Sequence, residues 1–229
     1  MSHKHFVIAI DGPAGAGKST VAILVAKTLG FLYVDTGAMY RALTLKALQR
    51  NLNLNNRNAL IEMSRNTRIE LVQNEDDYRV FLDGLEVTKA IRSEQVSKNS
   101  HFIASIPEVR EILWSIQRSY REKYDIVMEG RDIGTVVFPD AQLKIYLDAS
   151  VEERAKRRYL QLKQQGIETN IKDLKKEIIL RDERDTNRDI APLRKHPDAI
   201  TIDTTCLTIE QVVSMIINLY HQIIEKNKK

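Results

Sequence analysis

The 229-residue chain has a single cysteine, Cys206, so no intramolecular disulfide can form and a disulfide-stapled secreted fold is excluded. Such cysteine usage suits a reducing compartment, and the expected location is the cytosol. No apolar run approaches the roughly 20 residues that span a bilayer. The apolar run at Phe6–Ile10 is too short for a signal-peptide core. There is no internal repeat and no low-complexity segment, and the 43% hydrophobic content is ordinary for a globular protein that buries a sizeable core. Net charge is +4, a mildly basic balance that fits either nucleic acid or small anionic substrates. A long basic stripe and a series of stacking aromatics, the marks of a nucleic-acid binder, are both missing.

What is present begins at Phe6. Phe6–Ile10 reads as a buried strand, and Asp11-Gly12-Pro13-Ala14-Gly15-Ala16-Gly17-Lys18-Ser19-Thr20 fits the phosphate-loop pattern G-x-x-x-x-G-K-[ST]. Val21–Leu29 then reads as a helix stopped by Gly30. Glycines let successive backbone N–H groups converge on one anion, and the helix dipole adds positive potential. Lys18 places an ammonium on the β- and γ-phosphates, and the Ser19 hydroxyl suits the shell of a Mg²⁺ ion. The whole loop, Gly12 to Thr20, is the expected triphosphate site.

Phe31–Val34 is a second strand. It ends in Asp35-Thr36-Gly37 ahead of a helix over Ala38–Arg50, which puts Thr36 and Arg41 at a strand-to-helix turn where α/β sheets expose ligand-binding groups. Arg68–Val72 and Tyr78–Leu82 flank an acidic turn and read as a hairpin. Met63 to about Arg92 is therefore expected to be a small antiparallel insertion. Helices follow at Ser93–Ser105 and from Pro107 to Tyr120, where Trp114 reads as packing. The next core strand, Asp125–Glu129, runs into Gly130-Arg131-Asp132. Glu129 suits Mg²⁺ through water, and Arg131 a transferring phosphoryl group.

After a strand over Gln142–Leu147 come two helices, Val151–Gln164 and Asn170–Asp189. A last strand, Ala199–Asp203, and an amphipathic helix, Thr208–Glu225, close the chain, with a lysine-rich end expected to fray. The second of the paired helices sets Arg184 and Arg188, and Asp185 and Asp189, four apart. Like charges at that spacing destabilise an isolated helix. With Arg181, Asp185 and Arg188 on one helical face, the pattern fits a closing lid better than a solvated surface.

Taken together, Ile10–Pro13 through Ser19-Thr20, Asp35–Arg41, Gly130–Pro139, and Arg181–Asp185 with Arg188 and Ala191-Pro192-Leu193 resemble the nucleoside monophosphate kinases, and within them the bacterial cytidylate kinases, essentially end to end. The resemblance implies a P-loop α/β fold: a parallel five-stranded sheet flanked by helices, a small antiparallel unit in a monophosphate-binding domain, and a helical lid. It places the core at 1–36, 123–150 and 190–229, the monophosphate domain at 37–122 (insert about 63–104) and the lid at 151–189. It also implies Mg²⁺-dependent phosphoryl transfer from ATP to CMP or dCMP. The protein is expected to be a monomer, and its charge placement and short apolar runs predict that it binds neither nucleic acid nor membrane.

Family roles put Lys18, Arg131, Arg181 and Arg188 in catalysis and Arg157 and Arg158 at ATP. Thr36, Arg110, Asp132 and Arg188 would surround the base, and Arg41 and Arg131 would lie near the monophosphate. Arg181 and Asp185 would meet the sugar or its phosphate. Position 101, usually a serine touching the sugar, is His101 here, and Thr36 stands where some members have serine.

The residue chemistry agrees with these roles. The acceptor is an ionised phosphate, so no strong general base is needed, and cations must suppress repulsion between two anions. A carboxylate such as Asp132 accepts from cytosine N4 but would face a carbonyl in uracil. A regulatory GTPase is disfavoured because no Asn-Lys-x-Asp or Asp-x-x-Gly motif occurs. A shikimate-like or other P-loop small-molecule kinase is the runner-up, and a nucleic-acid-binding P-loop protein the more distant alternative.

Overall fold

A computed structural model describes residues 5–226 apart from 75, 76 and 165. In chain order, β1 (Val7–Asp11), α1 (Lys18–Leu29), β2 (Leu32–Asp35) and α2 (Thr36–Gln49) open the chain. Next come α3 (Arg57–Arg65), β3 (Ile69–Asn74), β4 (Asp77–Leu82), β5 (Leu85–Glu86), α4 (Glu94–Ala104) and α5 (Pro107–Ser119). The remainder is β6 (Ile126–Gly130), β7 (Leu143–Asp148), α6 (Val151–Gln164), α7 (Ile171–Thr186), β8 (Ile200–Asp203) and α8 (Ile209–Lys226).

Five strands pair in parallel in the order β2-β6-β1-β7-β8. The unbroken apolar run of β1 is what a central strand buried on both faces requires, and all five of its residues are buried. On one face Ile8, Ile10, Val127 and Ile145 pack with Val25 of α1 and Val212 and Ile216 of α8. On the other, Val7, Ala9 and Met128 pack with Met39 and Leu43 of α2 and Leu113 of α5. In register, Asp11 lies beside Gly130 and Asp35 beside Glu129, so the carboxyl ends of three adjacent strands bring their polar residues to one edge. Ligands of open α/β sheets bind outside that edge.

The expected hairpin is β3–β4, antiparallel with Leu71 opposite Val80, and part of its acidic turn, residues 75 and 76, lies outside the described residues. A third strand, β5, extends it after the Asp83-Gly84 turn, an addition the sequence did not announce. Gln73 Oε1 accepts from Tyr33 N at 2.7 Å, tying the small sheet to β2. The lysine-rich 227–229 end is likewise outside the described residues.

One expected boundary is corrected. The second of the paired helices ends at Thr186, not Asp189, with Asn187 as its C-cap. The chain reverses there: Leu193 N donates to Asp185 O at 2.8 Å, and Ala191 takes a φ of 47°. Arg188 therefore lies beyond the helix and does not share a helical face with Arg181 and Asp185.

Candidate active site

The loop between β1 and α1 closes over its own backbone. A Cβ at Gly12 would fall 2.0 Å from the Leu147 carbonyl oxygen, and Gly17, the N-cap of α1, has a φ of 88°, so both positions demand glycine. Lys18 is buried and its Nζ donates to Pro13 O at 2.7 Å. Burial first, and then the Arg131 charge, push the Lys18 ammonium down, with Arg181 acting the same way and Glu129 and Asp185 opposing. These five residues are therefore electrostatic neighbours. Ala14 and Ala16 are gripped from outside: Arg154 donates to Ala14 O at 3.0 Å, and Thr204 Oγ1 to Ala16 O at 3.3 Å. Ser19 and Thr20 are exposed at the start of α1, and Pro13 is buried.

Glu129 is buried at the end of β6. It accepts from Tyr33 Oη at 2.9 Å and from the Ser19 hydroxyl, and burial followed by the nearby Asp35 charge raises its pKa. The adjoining strand end holds Thr36, whose Oγ1 donates to Glu129 O at 2.7 Å, and Asp35, which caps α2 through Ala38 N and pairs with Arg41 Nη2 at 2.8 Å.

Asp11 joins the two loops. Its carboxylate accepts from Ile133 N at 2.8 Å and Gly134 N at 2.7 Å, which fixes the π-helical turn that follows Asp132. Burial raises Asp11 from 3.8 to about 7, with those two N–H bonds opposing. Asp132 Oδ2 in turn accepts from Arg110 Nη2 at 2.6 Å and from Trp114 Nε1 at 3.0 Å. Trp114 is thus more than packing.

Arg131 Nε donates to Asp185 Oδ2 at 2.8 Å, linking β6 to α7. Arg181 keeps solvent on one side, and desolvation by the surrounding protein, then the Arg131 charge, bring it down to about 10. Arg188 donates to Ile190 O and Ala191 O, and burial, then the Arg110 charge, lower its pKa. Among the described residues, Tyr40 Oη, Arg41 Nε and Arg110 Nε are buried without a hydrogen-bond partner. Donors left without acceptors are costly, so these three are available to a polar ligand.

The peripheral expectations divide. Arg157 lies against the phosphate loop, 3.8 Å from where a Cβ on Gly17 would sit, and donates to Thr204 Oγ1 and O. Arg158 bonds Gln161 on its own helix at 2.9 Å. His101 is exposed, and its Nδ1 is 2.8 Å from Lys98 O one turn earlier. No contact joins it to the cluster among the described residues.

Residues 8–222 match the family model described as cytidylate kinase. The chain belongs to that family. A cytidylate kinase from Alkaliphilus oremlandii is 53% identical over 212 residues, covering 93% of this chain and 96% of that one. Another from Geobacillus sp. (strain WCH70) is 51% identical over 215 residues, covering 94% and 96%. Membership makes the chain a kinase, a phosphotransferase. At the level of fold alone, an uncharacterized protein from Eubacterium ventriosum is similar with a TM-score of 0.52 and 15% identity, covering 96% of this chain and 99% of that one. No helix among the described residues is long and apolar enough to cross a membrane.

Proposed function

We propose that the protein transfers the γ-phosphoryl group of ATP to CMP or dCMP, giving ADP and the pyrimidine diphosphate. The observation that carries this reading is the glycine-rich loop with Lys18 folded onto Pro13 O at 2.7 Å and, among its electrostatic neighbours, Arg131 bonded to Asp185 at 2.8 Å and Arg181, cations drawn from three separate segments. Two nucleotides brought together repel each other, and fixed cations that need no reorganisation offset that repulsion.

In this reading the loop from Gly12 to Thr20 holds the ATP phosphates, and Lys18 exchanges Pro13 O for a phosphate oxygen. Arg41 and Arg131 hold the acceptor phosphate. Thr36, Arg110, Asp132 and Arg188 read the base, and Arg181 and Asp185 meet the sugar side. Arg157 and Arg158 serve the donor nucleotide. The segment 151–189 acts as a lid that excludes water from the transfer, hinged on a core of 1–36, 123–150 and 190–229, with 37–122 binding the acceptor.

Hard oxygen donors suit Mg²⁺, which keeps several waters and takes few protein ligands when phosphates supply the rest. Ser19 and Glu129, hydrogen-bonded to each other at the mouth of the loop, fit that pattern, Ser19 directly and Glu129 through water. When bound, Mg²⁺ would neutralise phosphate charge.

The test is a panel of nucleoside monophosphates and shikimate, each incubated with Mg·ATP while ADP release is followed. CMP and dCMP are expected to be turned over well ahead of UMP, AMP and shikimate. Equal turnover of all, or turnover of shikimate alone, would defeat the reading.

A further inference from the structure

Arg110 and Trp114 stand four residues apart on α5, a spacing that puts both side chains on one helical face, and both end on the same atom, Asp132 Oδ2. Neither bond uses Oδ1. The Arg110 guanidinium carbon also lies 5.2 Å from the Tyr40 ring centroid and 5.3 Å from that of Trp114, so the indole touches both members of the ion pair. Behind Asp132 the backbone is held by the Asp11 clamp, which leaves rotation of the carboxylate as the remaining freedom.

An arginine and a carboxylate left to themselves favour a bidentate fork in which both carboxylate oxygens are consumed. Here Arg110 Nη1 is taken by Ala104 O at 3.1 Å and a second donor, arriving from the indole, shares Oδ2, so the pair is monodentate and the indole helps to hold the carboxylate in that pose. We infer that Trp114 is a specificity-determining positioning residue: its indole N–H holds the Asp132 carboxylate so that Oδ1 is offered to the acceptor base. This rests on Asp132 reading the base, as proposed for the acceptor site. An oxygen held toward the base accepts from the amino group of cytosine and confronts the carbonyl of uracil, whereas a carboxylate relaxed into the fork discriminates poorly.

Trp114→Phe deletes the donor and keeps an aromatic ring beside Arg110. The expected result is a fall of about tenfold in the ratio of kcat/KM for CMP over UMP, arising mainly from a higher KM for CMP. In an Asp132→Asn background the same substitution should move the ratio by less than about twofold, because the carboxylate it acts through is gone. An unchanged ratio in the first background, or an equal fall in both, would overturn the inference.

A second measurement does not depend on the variant folding at position 114. Trp114 is the sole tryptophan, so ¹⁵N-labelled protein gives a single indole resonance. Asp132→Asn should shift that resonance and speed its exchange with solvent, and an unmoved resonance would overturn the inference. The parent reading fails separately: if Asp132→Asn leaves the wild-type preference for CMP over UMP intact, Asp132 does not read the base, whatever the indole resonance does.

Discussion

Lys18 donates to a carbonyl of its own loop while Arg131 and Arg181 press their charges on it, an arrangement that trades a weak neutral acceptor for a phosphate when one arrives. Removing such a preorganised charge costs about 10²–10³ in rate in comparable sites. Lys18→Ala is expected to cut CMP-dependent ADP release by that factor with the fold intact, checked by circular dichroism. At this scale the sequence is legible where a motif ties residue type to spacing, as in the phosphate loop and Gly-Arg-Asp. It is less legible where a partner arrives from far along the chain. Trp114 reads as core because indoles usually are, and only its i,i+4 relation to Arg110 hints otherwise. Asp11 looks like the first residue of the loop, and its bonds to Ile133 and Gly134, 122 and 123 positions on, have no local trace.

Helices α6 and α7 pack on each other, yet their buried apolar residues, Ala155, Leu162, Leu174 and Ile178, belong to neither core cluster of the sheet. Elements with little apolar anchorage open at low free energy. In the ligand-free protein, amides of 151–189 should therefore exchange with solvent much faster than those of β1 and β6, as followed by mass spectrometry. Uniform protection would count against a mobile lid. What ties the pair down is Arg154, buried on α6, which donates to Ala149 O, Ala14 O and Asp182 Oδ2 at 2.9, 3.0 and 2.6 Å. Arg154→Leu strips three acceptors of their donor and should lower the unfolding free energy by about 3 kcal/mol in urea titrations, with faster exchange in α7. The helices themselves are plain from apolar periodicity, and Ser150 Oγ accepts from Glu153 N at 3.2 Å in the capping role its position implies. The end of α7 was not legible, because a run of charged residues carries no apolar period and the reversal at Ala191 depends on a backbone bond from Leu193.

At the scale of the whole molecule, one buried carboxyl leaves a mark on stability. Asp11 rises from 3.8 in isolation to about 7 when folded, so the native state holds that proton longer than the unfolded chain does. Its contribution is fully present below pH 3.8 and is lost as pH climbs toward 7. The stability of the wild type relative to Asp11→Asn should accordingly shrink between pH 4 and pH 7 in paired denaturation curves, and a constant difference would show that Asp11 does not titrate there. The parallel sheet and its antiparallel insertion could be read from the alternation of strand and helix patterns. The strand order could not, since nothing local says that β1 lies between β6 and β7.

That order bears on how the polypeptide assembles as it is made. β1 has as neighbours two strands that begin at residues 126 and 143, so its edges lack these partners until more than a hundred further residues have been made. Antiparallel β3–β4, by contrast, needs only its own sequence vicinity. Contacts so remote slow folding and leave an apolar edge open to strangers in the meantime. A nascent chain halted before residue 126 should thus be captured by aggregation or by a chaperone, while one extended past 148 has both strands that flank β1.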